Sequence, residues 1–197
     1  MYFFRNDKYE NTRSAEESKV EHSPDITGLV RKAINGDTEA FGELYIAHVE
    51  QIYRYVFFHY RNKTFAEDVT EEVFIKAWKA IGSCKGRENS FTAWLYRIAR
   101  NHLIDEIRKL KRRPSLDTDI IEVYASHEGE IEEYLTQQEL LAFIERLPEN
   151  QRQVILLKFI QGLSNEEISQ VMNKSQGAVR IMQMRALENL RKEFDRE

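Results

Sequence analysis

With a single cysteine, Cys84, the chain has no second thiol for an internal disulfide, and it suits a reducing compartment. Three prolines and eight glycines among 197 residues leave long stretches free of helix breakers. No apolar run approaches the roughly 20 residues that cross a bilayer as a helix, and the opening MYFFRNDKYE lacks the apolar core of a secretory signal. A soluble, cytoplasmic protein without membrane insertion is expected. Positive charge is not in excess either: 29 Lys and Arg against 33 Asp and Glu give a net charge of −4. Leu, Ile, Glu, Lys and Arg are abundant instead, which is the composition of an all-α protein.

The charges are sorted along the chain. Between residues 97 and 113 lie seven basic side chains, Arg97, Arg100, Arg108, Lys109, Lys111, Arg112 and Arg113, against only Asp105 and Glu106. Residues 114–137 then carry seven carboxylates, Asp117, Asp119, Glu122, Glu128, Glu130, Glu132 and Glu133, and no Lys or Arg. A run so polar and so short cannot build a core, so it is expected to be an acidic linker joining two small helical domains. Residues 1–23 show no sustained apolar period and are expected to be a mobile tail, which places the domains at 24–113 and 138–197.

Apolar spacing outlines four helices in the first domain. The earliest, with Ile26, Leu29, Val30 and Ala33 on one side, should stop at Asn35-Gly36. A longer one runs through Phe41, Leu44, Tyr45, Val49, Ile52, Tyr53 and Val56. Thr64 and Glu67 have capping-box spacing before a helix that buries Val69, Val73, Ala77, Trp78 and Ile81 and turns Asp68, Glu71, Glu72 and Lys76 outward. After the loop GSCKGRENS, a helix capped by Ser90 mixes Phe91, Trp94 and Tyr96 with Arg97, Arg100, Asn101, His102, Arg108 and Lys109. Aromatic faces beside a basic stripe suit unpaired DNA, whose bases stack while cations hold phosphates. Trp94, Leu95, Ile98, Leu103 and Ile107 also have core spacing, so packing accounts for part of this set, Trp94 included. His102 stands at helical spacing from Asp105 and Glu106, but no further ligand cluster supports a metal there.

In the second domain, Ser164 and Glu167 form a capping box ahead of Ile168, Val171 and Met172. Asn173 tolerates the left-handed conformation that ends a helix, and Ser175 is positioned to cap the next one. That helix should bury Val179, Met182, Ala186, Leu187 and Leu190, leaving Gln176, Arg180, Gln183 and Arg185 outward. Arg pairs with guanine and Gln with adenine through paired hydrogen bonds in the major groove. An ordinary amphipathic hairpin has the same spacing, so the helix pair alone leaves both uses open.

Taken together, the motifs resemble the sigma-70 family of bacterial RNA polymerase sigma factors, in its extracytoplasmic-function (ECF) group. AEDVTEEVFIKAW is similar to the family's region 2.2, FTAWLYRIARNHLIDEIRKLKR to regions 2.3 and 2.4, and LPENQRQVILLKFIQGLSNEEISQVMNKSQGAVRIMQMRALENLR to region 4. The resemblance implies a non-enzymatic protein without cofactor, metal or catalytic residues. Its implied partners are core RNA polymerase, through the β′ clamp helices and the β flap, promoter DNA, and an anti-sigma factor. Asp68, Glu71 and Glu72 would face the polymerase clamp. Lys85, Arg87, Asn89, Trp94, Tyr96, Arg97, Arg100, Asn101 and Arg108 would hold opened minus-10 DNA. Ser175, Gln176, Arg180, Gln183 and Arg185 would read the minus-35 element. The acidic linker takes the place of the segment that threads toward the polymerase active site.

This chain departs from the family at informative places. Asn173-Lys174 stands where many members have Gly and an apolar residue, Arg180-Ile181-Met182 where many have Lys/Arg-Ser-Arg, and Glu71 where Gln is frequent. Base preference at minus-35 therefore does not transfer from relatives. Two other classes fit parts of the pattern. A stand-alone helix-turn-helix regulator would need a ligand-sensing site in its first domain, and a helical nucleotide hydrolase would need an ExxE or ExxH partner for Glu67, Asp68, Glu71 and Glu72.

Overall fold

The computed structural model describes residues 25–112 and 142–194, all of whose regular structure is helical. The expected tail (1–23) and acidic linker (114–137), with Arg113, lie outside the described residues.

Each helix boundary has a local cause. Helix α1 (Ile26–Ile34) starts where the Asp25 carboxylate accepts from Gly28 N, and it stops at Asn35, after which Gly36 takes φ +93°. Asp37, accepting from Ala40 N, opens α2 (Thr38–Tyr60), which ends in a left-handed Arg61 (φ 51°). That turn brings Asn62 into extended geometry, and its side chain accepts from Phe65 N at 2.8 Å to open α3 (Lys63–Ala80). The cap is thus Asn62 and not the Thr64 box, because the Arg61 turn leaves the chain ready to enter a helix two residues earlier. Two 3-10 turns (Ile81–Cys84 and Glu88–Ser90) then lead into α4 (Phe91–Arg112), the second running straight into the helix.

In the second half, a helical stretch at 142–146 precedes α5 (Glu149–Ile155), which continues as a π-helical turn (Leu156–Ile160). Adjacent Leu156 and Leu157 are both buried, in different clusters, as are Val154 and Ile155 just before the turn. Helix α6 (Asn165–Met172) has the complete capping box: Glu167 N donates to Ser164 Oγ and Ser164 N to Glu167 Oε2. Asn173 is left-handed (φ 52°), and Ser175 Oγ accepts from Ala178 N at the start of α7 (Gln176–Phe194). Ser164→Ala removes one of these reciprocal bonds and is expected to cost about 1 kcal/mol of stability in urea unfolding, with Asn in its place restoring most of it.

One core runs through both halves. Leu44, Ile52 and Val56 of α2, Val69 and Val73 of α3, and Leu95, Ala99 and Leu103 of α4 pack with Val154, Leu157, Ile168, Val171 and Val179 of the second half. Phe143, Ile144, Leu147, Ile155, Leu156, Ala186 and Leu190 form a smaller cluster. Leu187, expected in the buried stripe, is 45% exposed. Ala186 and Leu190, four residues apart, take that contact, and Leu187 lies 100° round the helix from Ala186. Tyr45, expected on the apolar side of α2, is also exposed, with its ring edge-on to Phe74 at 4.8 Å.

Candidate nucleic-acid interface

The residues expected to make contacts lie on three parts of the fold: on α3, on the loop and helix α4, and on α7. On α3, Asp68, Glu71 and Glu72 are exposed and follow helical spacing with Ile75, which is 44% exposed. The result is an acidic stripe that ends on an apolar residue. Ile75 was missed in the sequence because an isolated apolar residue on a polar face has no periodic partner.

The loop before α4 is held by its own backbone. Arg87 N donates to Cys84 O at 2.9 Å, Gly86 N donates to Glu88 Oε1 at 3.0 Å, and Gly86 sits at φ +76°. Hydrogen bonds from its own amide and that of Gly86 hold the exposed Glu88 carboxyl below the usual range. Burial pushes the Cys84 thiol up, so this cysteine is a core residue and not a reactive one. Lys85, Arg87 and Asn89 are exposed on this frame, Asn89 Oδ1 accepting from Thr27 Oγ1 at 3.2 Å.

Along α4 the expected DNA residues divide. Asn101 and Arg108 are exposed, the latter 3.6 Å from Asp105, and Arg97 is half-buried. Trp94 is 6% exposed, with Nε1 donating to Ser83 Oγ, so it packs in the core here and offers no face to a base. Tyr96 is 1% exposed and donates to Gln161 Oε1 at 2.8 Å. Arg100 Nε donates to Gln153 Oε1 at 2.6 Å, while Gln153 Nε2 donates to Glu149 Oε1. The second half therefore covers the face of α4 that bears Tyr96 and Arg100. A further bridge joins Arg61 to Glu145 at 2.6 Å.

Below this contact lies an aromatic cluster. The Tyr55 ring is edge-on to His59 at 4.4 Å and to Tyr96 at 5.4 Å. His59 Nδ1 donates to Tyr55 O at 2.7 Å, and its Nε2 is buried without a partner. Burial, outweighing the Tyr55 carbonyl, pulls the imidazole down to a pKa of about 4. His102 is buried too, between the Lys76 ammonium and the Glu106 carboxylate, and burial followed by Lys76 lowers its pKa.

On α7, Ser175, Gln176, Arg180 and Arg185 are exposed, whereas Gln183 is half-buried at the edge of the packed side. Opposite the buried Val179, Ala186 and Leu190 runs a stripe spaced by four, three and four residues: Gly177, Ile181, Met184 and Glu188, all exposed. Arg180 and Arg185 flank it. Ile181 and Met184 were missed as outward residues because apolar side chains in a helix read first as core.

Comparison with known proteins fits both halves. Residues 44–113 match the family described as Sigma-70 region 2, and residues 137–190 match Sigma-70, region 4. The chain is 37% identical over 166 residues to the ECF RNA polymerase sigma factor BldN of Streptomyces coelicolor, covering 82% of this chain and 63% of that protein. It is 33% identical over 181 residues to SigW of Bacillus subtilis (86% and 96% covered). It is 37% identical over 175 residues to the ECF sigma-E factor of Escherichia coli (81% and 89%). Among solved structures, CnrH in complex with the cytosolic domain of CnrY aligns with TM-score 0.69 and 25% identity over 87% of this chain and 98% of that one. RpoE of Bartonella quintana, solved with the anti-sigma factor NepR, shares the fold at TM-score 0.59 and 20% identity (77% and 94%). Two region matches in order, joined to these identities over most of the chain, establish that it belongs to the ECF group of sigma-70 family RNA polymerase sigma factors.

Proposed function

We propose that this chain binds core RNA polymerase and directs promoter-specific initiation, with α7 reading duplex minus-35 DNA and the first half capturing unpaired minus-10 bases. The observation that carries the division of labour is the order of exposed chemistry along the chain: acidic stripe on α3, cationic loop Lys85–Asn89, capped helix-turn-helix at 164–194. The stripe of Asp68, Glu71 and Glu72 meets basic residues of the polymerase clamp, and such complementarity sets register and encounter rate. Run-off transcription with purified core polymerase and a genomic library tests the whole reading: specific initiation supports it, and an intact complex that initiates nowhere overturns it. Glu72→Lys is expected to weaken binding to core polymerase about tenfold in fluorescence titration, with a shallower salt dependence, because like charge then faces the clamp.

Simultaneous grip on both elements requires the two halves to part. Elements about 25 base pairs apart at about 3.4 Å each lie roughly 85 Å from one another. Side chains in hydrogen-bond contact, as Tyr96 and Gln161 are, cannot reach both. The 29 residues from 113 to 141, at up to about 3.4 Å each, span enough distance to allow the separation. Free of polymerase, the chain in this closed arrangement should bind promoter DNA poorly. An anti-sigma factor belongs to the proposal as the partner that holds such a chain inactive; CnrH, 25% identical, was itself solved in complex with a second protein, the cytosolic domain of CnrY.

A further inference from the structure

The centre of the outward face of α7 is apolar. Ile181 is 49% and Met184 53% exposed, three residues apart and opposite the buried stripe, with Arg180 and Arg185 to either side. Gly177, one turn before Ile181, adds no side chain, and a Cβ there would meet only Ser175 Oγ at 3.9 Å. The first turn is therefore bare enough for a groove floor to approach closely. Neither Ile nor Met has a hydrogen-bonding group to offer a base edge beyond a weak thioether.

We propose that Ile181 and Met184 are specificity-determining residues that read thymine C5-methyl groups in the minus-35 element, while Arg180 and Arg185 contact phosphate or guanine at its margins. This rests on the assignment of α7 as the minus-35 reader. Among the four bases only thymine carries a methyl group in the major groove. Pressed against any other base edge, these side chains would cover donors or acceptors and leave them unpaired, so the same two residues select for thymine and against the alternatives. Two cations bracketing an apolar centre complement a groove whose walls are phosphates and whose floor carries methyls. A protein partner's apolar surface has no such need for the flanking charge.

Uracil is thymine without the methyl, and it supplies the test. A duplex promoter found by run-off transcription, with its minus-35 segment randomised, is copied once with dTTP and once with dUTP and offered to holoenzyme formed from the full chain and core polymerase. Single dT-to-dU replacements in the enriched site should weaken binding about fourfold for each contacted methyl. Ile181→Ala and Met184→Ala should bind the dT and dU duplexes equally, with helix content unchanged since both side chains are exposed. Equal binding of dT and dU by the unaltered chain, at a site still enriched for a minus-35 motif, overturns the inference and leaves the assignment of α7 standing. Initiation without any enriched minus-35 motif overturns both. Variants that keep full dT discrimination but lose binding to a protein partner also overturn it, by giving the apolar face to that partner.

Discussion

Lowering the pH from 7 to 5 is expected to cost the folded chain about 2 kcal/mol through His59 alone. The sign follows from where the proton is bound. Unfolded, the imidazole titrates near 6.5; folded, burial holds it to about 4. Between those values the unfolded chain binds the extra proton, so stability falls as pH falls, and the loss saturates at about 3 kcal/mol below pH 4. The structural cause is specific: Nδ1 is committed to the Tyr55 carbonyl, and a proton added to Nε2 would be a buried donor without an acceptor. Glu149 favours the charged form, but Arg152 and Arg100 oppose it, and these effects are smaller than burial. Burial also lowers His48 and His102, so both push in the same direction. His59→Leu separates the contributions. In urea unfolding it should lie within about 1 kcal/mol of the parent at pH 7 and recover about 2 kcal/mol relative to it by pH 5. Parallel pH profiles for parent and variant would remove His59 as the cause.

Local signals in the sequence were sufficient for the helix-turn-helix. Ser164, Glu167, Asn173 and Ser175 act on backbone within four residues, so their roles follow from spacing alone, and all four appear in the structure as expected. The apolar periods of α1, α3 and α6 were legible for the same reason. Tertiary choices were not. Asn62 displaced Thr64 because of a left-handed residue before it, and Leu187 lost its place to Ala186 and Leu190 because the partner cluster lies on their side of the helix. The fate of α4 was the least legible. Tyr96 and Arg100 have the same spacing whether they face DNA or Gln161 and Gln153, and only the packing of the second half against α4, with Gln153 on α5 and Gln161 just after the π-helical turn, decides which surface they meet. Exposed Ile181 and Met184 escaped because an apolar residue in a helix announces burial whether or not a neighbour comes to cover it, and Ile75 escaped because it stands alone on a polar face.

Gln153→Ala with Gln161→Ala should open the chain and tighten its binding to core polymerase. Both glutamines belong to the second half, so the residues proposed to touch DNA and clamp stay intact. Gln161 accepts from the buried Tyr96 hydroxyl, and Gln153, fully buried, accepts from Arg100 while donating to Glu149. A neutral bond of this kind contributes about 1 kcal/mol and one to a charged group about 1.5–3 kcal/mol. Their loss should move the closed-to-open equilibrium by roughly 2–4 kcal/mol, because Tyr96 and Arg100 regain water once the halves part. When only the open form binds, the apparent dissociation constant is the intrinsic one divided by the open fraction. If the closed form dominates in the parent, the double variant should therefore bind core polymerase at least tenfold more tightly, with a larger radius of gyration by X-ray scattering and unchanged helix content by circular dichroism. Arg61→Ala, which breaks the bridge to Glu145, should act in the same direction more weakly, since Glu145 is 39% exposed and solvated already. A double variant that keeps its helix content yet binds polymerase no better than the parent would mean that contact between the halves does not restrain the chain.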